Sequence, residues 1–105
     1  MVIKFDKVYL EELYKTGKTT DKKYRYQPGI VKKYQSRIET LESAEKVEEL
    51  FIINSLHYEV LQGDKKGISS IRVNNQYRIE FKTTQVVTET VLTVCDILEL
   101  SNHYK

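Results

Sequence analysis

The chain has 105 residues, 40% hydrophobic and 30% charged, with one proline, four glycines and a formal net charge of +2. That length predicts one domain over residues 1–105 with one core, and the composition excludes a disordered or low-complexity chain. No apolar run approaches the ~20 residues of a membrane span, the opening Met1-Val2-Ile3-Lys4-Phe5-Asp6 lacks a signal peptide's apolar stretch, and the lone Cys95 permits no disulfide within the chain, so a cytoplasmic protein with a reduced, buried thiol is expected.

Charge is unevenly spread. Residues 1–33 are basic, residues 34–50 acidic, and residues 62–82 basic again. Such asymmetry suits a polyanion on one side and a basic partner on another, and it equally suits solvated faces.

In chain order, Val2 to Phe5 alternates around Lys4 and predicts a short first strand. Asp6 is expected to cap a helix whose Val8, Leu10, Leu13 and Tyr14 recur at helical spacing, ending about Thr16 with Gly17 as the stop. Residues 18–23 form a polar loop. Tyr24 and Tyr26 follow, placed either to stack on a base or to staple the next helix to the core. Pro28 marks a helix start, and Ile30, Val31, Tyr34, Ile38 and Leu41 give an amphipathic helix from about Gly29 to Glu42 with a Lys-rich outer face. Ser43 is expected to cap a shorter helix from Ala44 to about Ile53, with Val47, Leu50 and Phe51 inward and Glu45, Glu48 and Glu49 outward. Leu56 to Leu61 is β-prone and reads as a rim segment or edge strand that runs into a turn at Gln62-Gly63-Asp64.

The next stretch organises the rest. Ile71, Val73, Tyr77, Ile79 and Phe81 alternate with Ser70, Arg72, Arg78, Glu80 and Lys82, the period of two of a half-buried strand pair, with Asn74-Asn75-Gln76 as the turn. A slip of one residue buries the arginines, so the pattern sets the register: Val73 faces Tyr77, Ile71 faces Ile79, and Arg72 faces Arg78. The three-residue loop is expected to place an Asn or Gln in the left-handed region. Two guanidiniums side by side call for an anion, and phosphate suits their fixed fork. The hairpin alone leaves a second reading open, in which both arginines are solvated and pair with Glu80 or Asp64.

Beyond the hairpin, residues 83–90 read as a pattern break and a connector. Val91 to Leu100 is apolar on both parities and predicts a central strand covered on both faces. Helices first and strands last give an α+β fold, with the N-terminal helices on one face of a mostly antiparallel sheet of about four strands and the arginines on the other. The sequence has no Gly-rich phosphate loop, metal-spaced Cys/His cluster or GxSxG elbow, and its two histidines are far apart, so neither a metal nor a cofactor is expected.

Leu56-His57, Gly63-Asp64-Lys65-Lys66-Gly67, Ser70-Ile71-Arg72-Val73-Asn74, Gln76-Tyr77-Arg78-Ile79-Glu80-Phe81 and Leu100-Ser101-Asn102-His103-Tyr104 together resemble the HigB branch of the RelE/ParE toxins, over nearly the whole chain. The resemblance implies the compact RelE-like microbial ribonuclease fold. It also implies cleavage of mRNA in the ribosomal decoding site, without a metal, by attack of a ribose 2′-hydroxyl on its own 3′ phosphate. In that family basic residues and a C-terminal histidine carry the chemistry. Arg72 and Arg78 match its basic hairpin positions, His57 its first histidine, and His103 the histidine that ends shorter members. Gln62 stands where lysine is common, Lys65 and Lys66 lie just past the turn, and Tyr104-Lys105 extends the tail; Gln62, Lys65, Lys66, Lys82 and Tyr104 are the candidate RNA contacts. His57 itself reads either as a structural hydrogen-bonding group or as an acid–base catalyst. The implied partner is a helix-turn-helix antitoxin, HigA-like, that represses its own operon, so that operator DNA is reached only through it. Two other functions remain compatible with the residues. One is a non-cleaving inhibitor, as in the ParE branch that poisons DNA gyrase; the other is an inactive relative that only binds its antitoxin.

Overall fold

In the computed structural model, which describes residues 1–102, the first apolar stretch is strand β1 (Val2–Phe5) and helix α1 spans Val8–Thr16. Gly17 ends that helix with φ 78°, a left-handed conformation that glycine adopts without a Cβ penalty, and its N–H donates to the Leu13 carbonyl. Tyr9, Leu10 and Leu13 are buried, while Val8 is exposed. Asp6 does not cap the helix: the cap residue is Lys7, without a side-chain hydrogen bond, and the Asp6 N–H donates to the Ile97 carbonyl at 2.9 Å, which extends the β-type pairing one residue past Phe5. The sheet thus holds Asp6, and the helix begins at Val8.

Helix α2 spans Pro28–Ser43 and buries Val31, Tyr34, Ile38 and Leu41, the expected stripe. Tyr34 Oη donates to the Leu10 carbonyl at 2.8 Å, and Gln35 Nε2 donates to the Leu13 carbonyl at 3.0 Å, so polar groups tie the two helices where they cross. Tyr24 and Tyr26 serve as staples. Tyr24 stacks on Tyr9 with centroids 3.6 Å apart, and Tyr26 packs edge-on against Tyr77 and donates to the Leu100 carbonyl.

No third α-helix forms between Ala44 and Ile53. Ser43 is the last residue of α2 rather than a cap, and short 3-10 turns occupy Val47–Leu50 and Asn54–Leu56. Glu49 Oε2 accepts from the N–H groups of Glu45 and Lys46 at 2.9 and 3.1 Å, which satisfies the donors a helix would have placed in its first turn. Leu50 is buried, but Phe51, expected inward, is 55% exposed.

The sheet has five strands rather than about four, in the order β1-β5-β4-β3-β2, with β2 at Glu59–Val60, β3 at Ser69–Arg72, β4 at Tyr77–Val87 and β5 at Val91–Asn102. Only β1 against β5 is parallel. Ile71, Val73, Ile79, Phe81, Cys95, Ile97 and Leu100 form one cluster with the buried stripes of α1 and α2.

Two expectations about the C-terminal strands fail for identifiable reasons. The register of β4 against β5 jumps from Glu80↔Glu99 to Phe81↔Ile97, leaving Leu98 as an extra residue. That shift puts Cys95, Ile97 and Leu100 on one buried face although they differ in parity, so β5 is central without being covered on both faces. The stretch read as a break and connector is instead strand: β4 continues to Val87, and Thr88-Glu89-Thr90 turns it into β5. Residues 82–92 are exposed throughout, so nothing required them to alternate.

Candidate functional site

The hairpin register is as the alternation requires, with Ile71 opposite Ile79 and Arg72 opposite Arg78, closed by Val73 N–H to the Tyr77 carbonyl at 3.0 Å. Its loop does not use a left-handed residue. His57 is the non-glycine residue with positive φ among the described residues. Asn74 shapes the turn through its side chain, Oδ1 accepting from the N–H groups of Gln76 at 2.9 Å and Tyr77 at 2.7 Å.

That turn aims the Asn74 carbonyl at the arginines. Arg72 Nε donates to it at 3.2 Å and Arg78 Nη1 at 3.1 Å, so two half-buried guanidiniums share one neutral acceptor. Burial first, and then the facing Arg72 charge, push Arg78 below its ordinary value. Neither arginine forms a salt bridge among the described residues. Glu80 instead pairs with Lys65 at 2.8 Å. Glu59 offsets part of the Arg78 charge from a distance, and the forked donors of the two like charges are of the geometry that suits phosphate oxygens.

His57 joins this pair. It follows the 3-10 turn at Asn54–Leu56, where Leu56 is buried and His57 takes φ 46°, and its Nε2 lies 3.0 Å from Arg72 Nη1. A guanidinium only donates, so Nε2 accepts and the ring proton resides on Nδ1. From the other side, α2 supplies Arg37, whose Nε donates to the Arg72 carbonyl at 2.9 Å and whose burial pushes it below its ordinary value. Arg37, Lys33, Ser55, His57, Arg72 and Asn74 border an open groove of about 340 Å³ along the edge of β3.

Lys33 and Arg37 were not singled out from the sequence, although their i, i+4 spacing on the Lys-rich face of α2 was visible there. What the sequence lacked was the docking of that face beside β3. Of the other candidates, Lys65 is committed to Glu80, which raises it above its ordinary value through their hydrogen bond. Gln62, Lys66 and Lys82 are exposed, with Lys82 in register opposite Asp96 on β5. His103 and Tyr104 lie outside the described residues. Strand β5, which leads into them, runs beside the arginine strand with Ser101 opposite Arg78.

Residues 3–94 match the family described as the RelE-like toxin of the type II toxin–antitoxin system HigB. Toxin HigB-1 of Vibrio cholerae serotype O1 is 35% identical over 83 residues, covering 78% of this chain and 83% of the relative. A YoeB/ParE toxin from Agrobacterium tumefaciens shares the fold, with a TM-score of 0.60 at 16% identity over 99% of this chain and 100% of that one.

Proposed function

Because the chain belongs to the HigB-like toxins of type II toxin–antitoxin systems, we propose that it arrests growth as a ribosome-dependent endoribonuclease that cleaves mRNA in the decoding site. The observation that carries this reading is the Arg72–Arg78 pair, held by one carbonyl and outside any salt bridge among the described residues.

In the proposed reaction the ribose 2′-oxygen attacks the adjacent phosphorus as its proton passes to a base. The 5′-oxygen then leaves with a proton from an acid, so the upstream fragment ends in a 2′,3′-cyclic phosphate and the downstream fragment begins with a free 5′-hydroxyl. Arg72 and Arg78 stabilise the extra negative charge of the phosphorane, the kind of fixed electrostatic aid that lowers a barrier most. His57 positions Arg72 through Nε2. His103 is the first choice for proton transfer, since imidazole accepts and donates near neutral pH as no arginine can. Lys33, Arg37 and the exposed Gln62, Lys66 and Lys82 offer further contacts for the RNA backbone, whose binding is expected to weaken steeply with salt. Residues 1–102 hold no helix long and apolar enough to cross a membrane.

The test is translation in vitro with primer extension on the message. Cuts confined to the ribosomal decoding site support the reading. Arrested translation on intact message supports a non-cleaving inhibitor instead, and unaffected translation an inactive relative.

A further inference from the structure

The acidic stretch that interrupts this basic chain borders a second groove, of about 530 Å³, between the C-terminal half of α2 and the segment after it. Ser36, Glu39 and Thr40 form one wall and Ile52 and Ile53 the other, with Glu49 at the rim. Ile52 is 83% exposed, and Phe51 and Ile53 beside it are 55% and 37% exposed. Phe51 packs in part on Tyr58, with centroids 4.9 Å apart, but Ile52 and Ile53 keep water-exposed apolar area next to the groove, and a contiguous patch of this kind marks an interaction site.

The charge of the rim says which partner. Glu39 and Glu49 line the groove, and Glu42, Glu45 and Glu48 lie close by in sequence. RNA is repelled by that rim, and it has its own basic groove at the edge of β3. Glu49 spends one carboxylate oxygen on the N–H groups of Glu45 and Lys46, which fixes its position without neutralising it.

We propose that this groove is where the antitoxin docks, through an amphipathic segment whose apolar side chains cover Ile52 and Ile53 and whose flanking lysines or arginines meet Glu39 and Glu49. The proposal rests on membership in a toxin–antitoxin family and is independent of whether the toxin cleaves RNA.

The experiment titrates purified toxin with the antitoxin encoded beside it, by calorimetry at low and moderate salt, for wild type, Ile52→Asp, Glu39→Lys and the double variant. Ile52→Asp is expected to weaken binding about tenfold or more, as loss of an apolar anchor does. Glu39→Lys is expected to weaken it and flatten its salt dependence. Both positions are on the surface, so thermal stability and antitoxin-free mRNA cleavage are expected to match wild type. A double variant that binds like wild type overturns the groove while leaving the toxin–antitoxin pairing intact. Unchanged antitoxin binding with lost self-association of the toxin assigns the groove to a second copy and also overturns it. A wild-type toxin that binds no antitoxin overturns the pairing and the groove together. None of these outcomes depends on the cleavage assay.

Discussion

His57 Nε2 accepts a hydrogen bond from Arg72 Nη1 at 3.0 Å, with the histidine held in a left-handed backbone conformation at φ 46°. Such a conformation costs a non-glycine residue ~1–3 kcal/mol, and it persists where the surroundings over-determine it. Here buried Leu56 fixes the turn on one side and Arg72 holds the ring on the other.

That relationship is the ground for proposing a positioning role for His57, and the role has a distinct signature. His57→Ala is expected to lower mRNA cleavage about tenfold, the effect of losing ~1.5 kcal/mol from one hydrogen bond to a charged group. His57→Gln keeps an acceptor oxygen, so it is expected to retain most activity, and both variants are expected to keep the wild-type pH–rate profile. A Gln variant as weak as Ala, with one limb of the profile missing, makes His57 a proton carrier instead.

The proton carrier in this account is His103, on the tail that continues from β5. His103→Gln is expected to remove most cleavage, by ~10²–10⁴-fold for a lost acid–base group, without changing thermal stability or antitoxin binding. Full activity in that variant moves proton transfer to His57 or Lys66.

Lys65 and Glu80 make a stability prediction. Glu80 is nearly buried, its side chain 9% exposed, while the Lys65 side chain is 46% exposed. Lys65→Met leaves a mostly buried carboxylate unpaired, at a cost of about 1 kcal/mol after allowance for the solvent around the lysine. The bond to Glu80 raises Lys65 above 10.5, so its contribution is complete below pH 10.5 and is lost as pH rises through the folded-state value. Thermal unfolding is therefore expected to show a constant gap between wild type and variant from neutral to mildly alkaline pH. That gap then closes. No gap at neutral pH, or one that survives strong alkali, contradicts the assignment.

Buried phenols set the alkaline limit of the fold. Burial first, and then the neighbouring Tyr77 and Tyr24, push Tyr26 up to about 12, and burial also pushes Tyr9 and Tyr34 up. The unfolded chain loses these protons near pH 10, where the folded chain still binds them, so stability falls as pH rises from about 10 to 12. Phenolate absorbance and circular dichroism followed together are expected to show some of the eight tyrosines ionising only as the chain unfolds. Ionisation of all eight with the fold intact contradicts it.

The sequence was most informative where one face of an element is buried. The helical stripe of Val31, Tyr34, Ile38 and Leu41 and the opposition of Arg72 and Arg78 followed from burial and period alone. The exposed arm of β4 and β5 carried no alternation because neither of its faces needed one, and the shift at Leu98 hid the face of β5 by changing parity midway. In place of the third helix the chain makes 3-10 turns, with the Glu49 carboxylate accepting from the N–H groups of Glu45 and Lys46, a side-chain contact that apolar periodicity does not encode. At the site, the Arg72–Arg78 pair was legible from the alternation, and His57 was joined to it only through the family resemblance. That Asn74 offers its carbonyl to both arginines, and that Arg37 reaches Arg72 from α2, depends on tertiary approach that spacing along the chain does not encode.

The central claim is that Arg78, with Arg72, stabilises charge on the scissile phosphate, and it is tested most directly by primer extension on mRNA translated in the presence of Arg78→Ala and Arg78→Lys. Loss of one such donor is expected to reduce cleavage ~10²–10³-fold. Lysine is expected to restore it only in part, since an ammonium cannot engage two phosphate oxygens in fork geometry. Thermal stability is expected to stay close to wild type, because the Arg78 side chain lies half-exposed beside the turn rather than in the core. Cleavage at the wild-type rate by a folded Arg78→Ala protein contradicts the account.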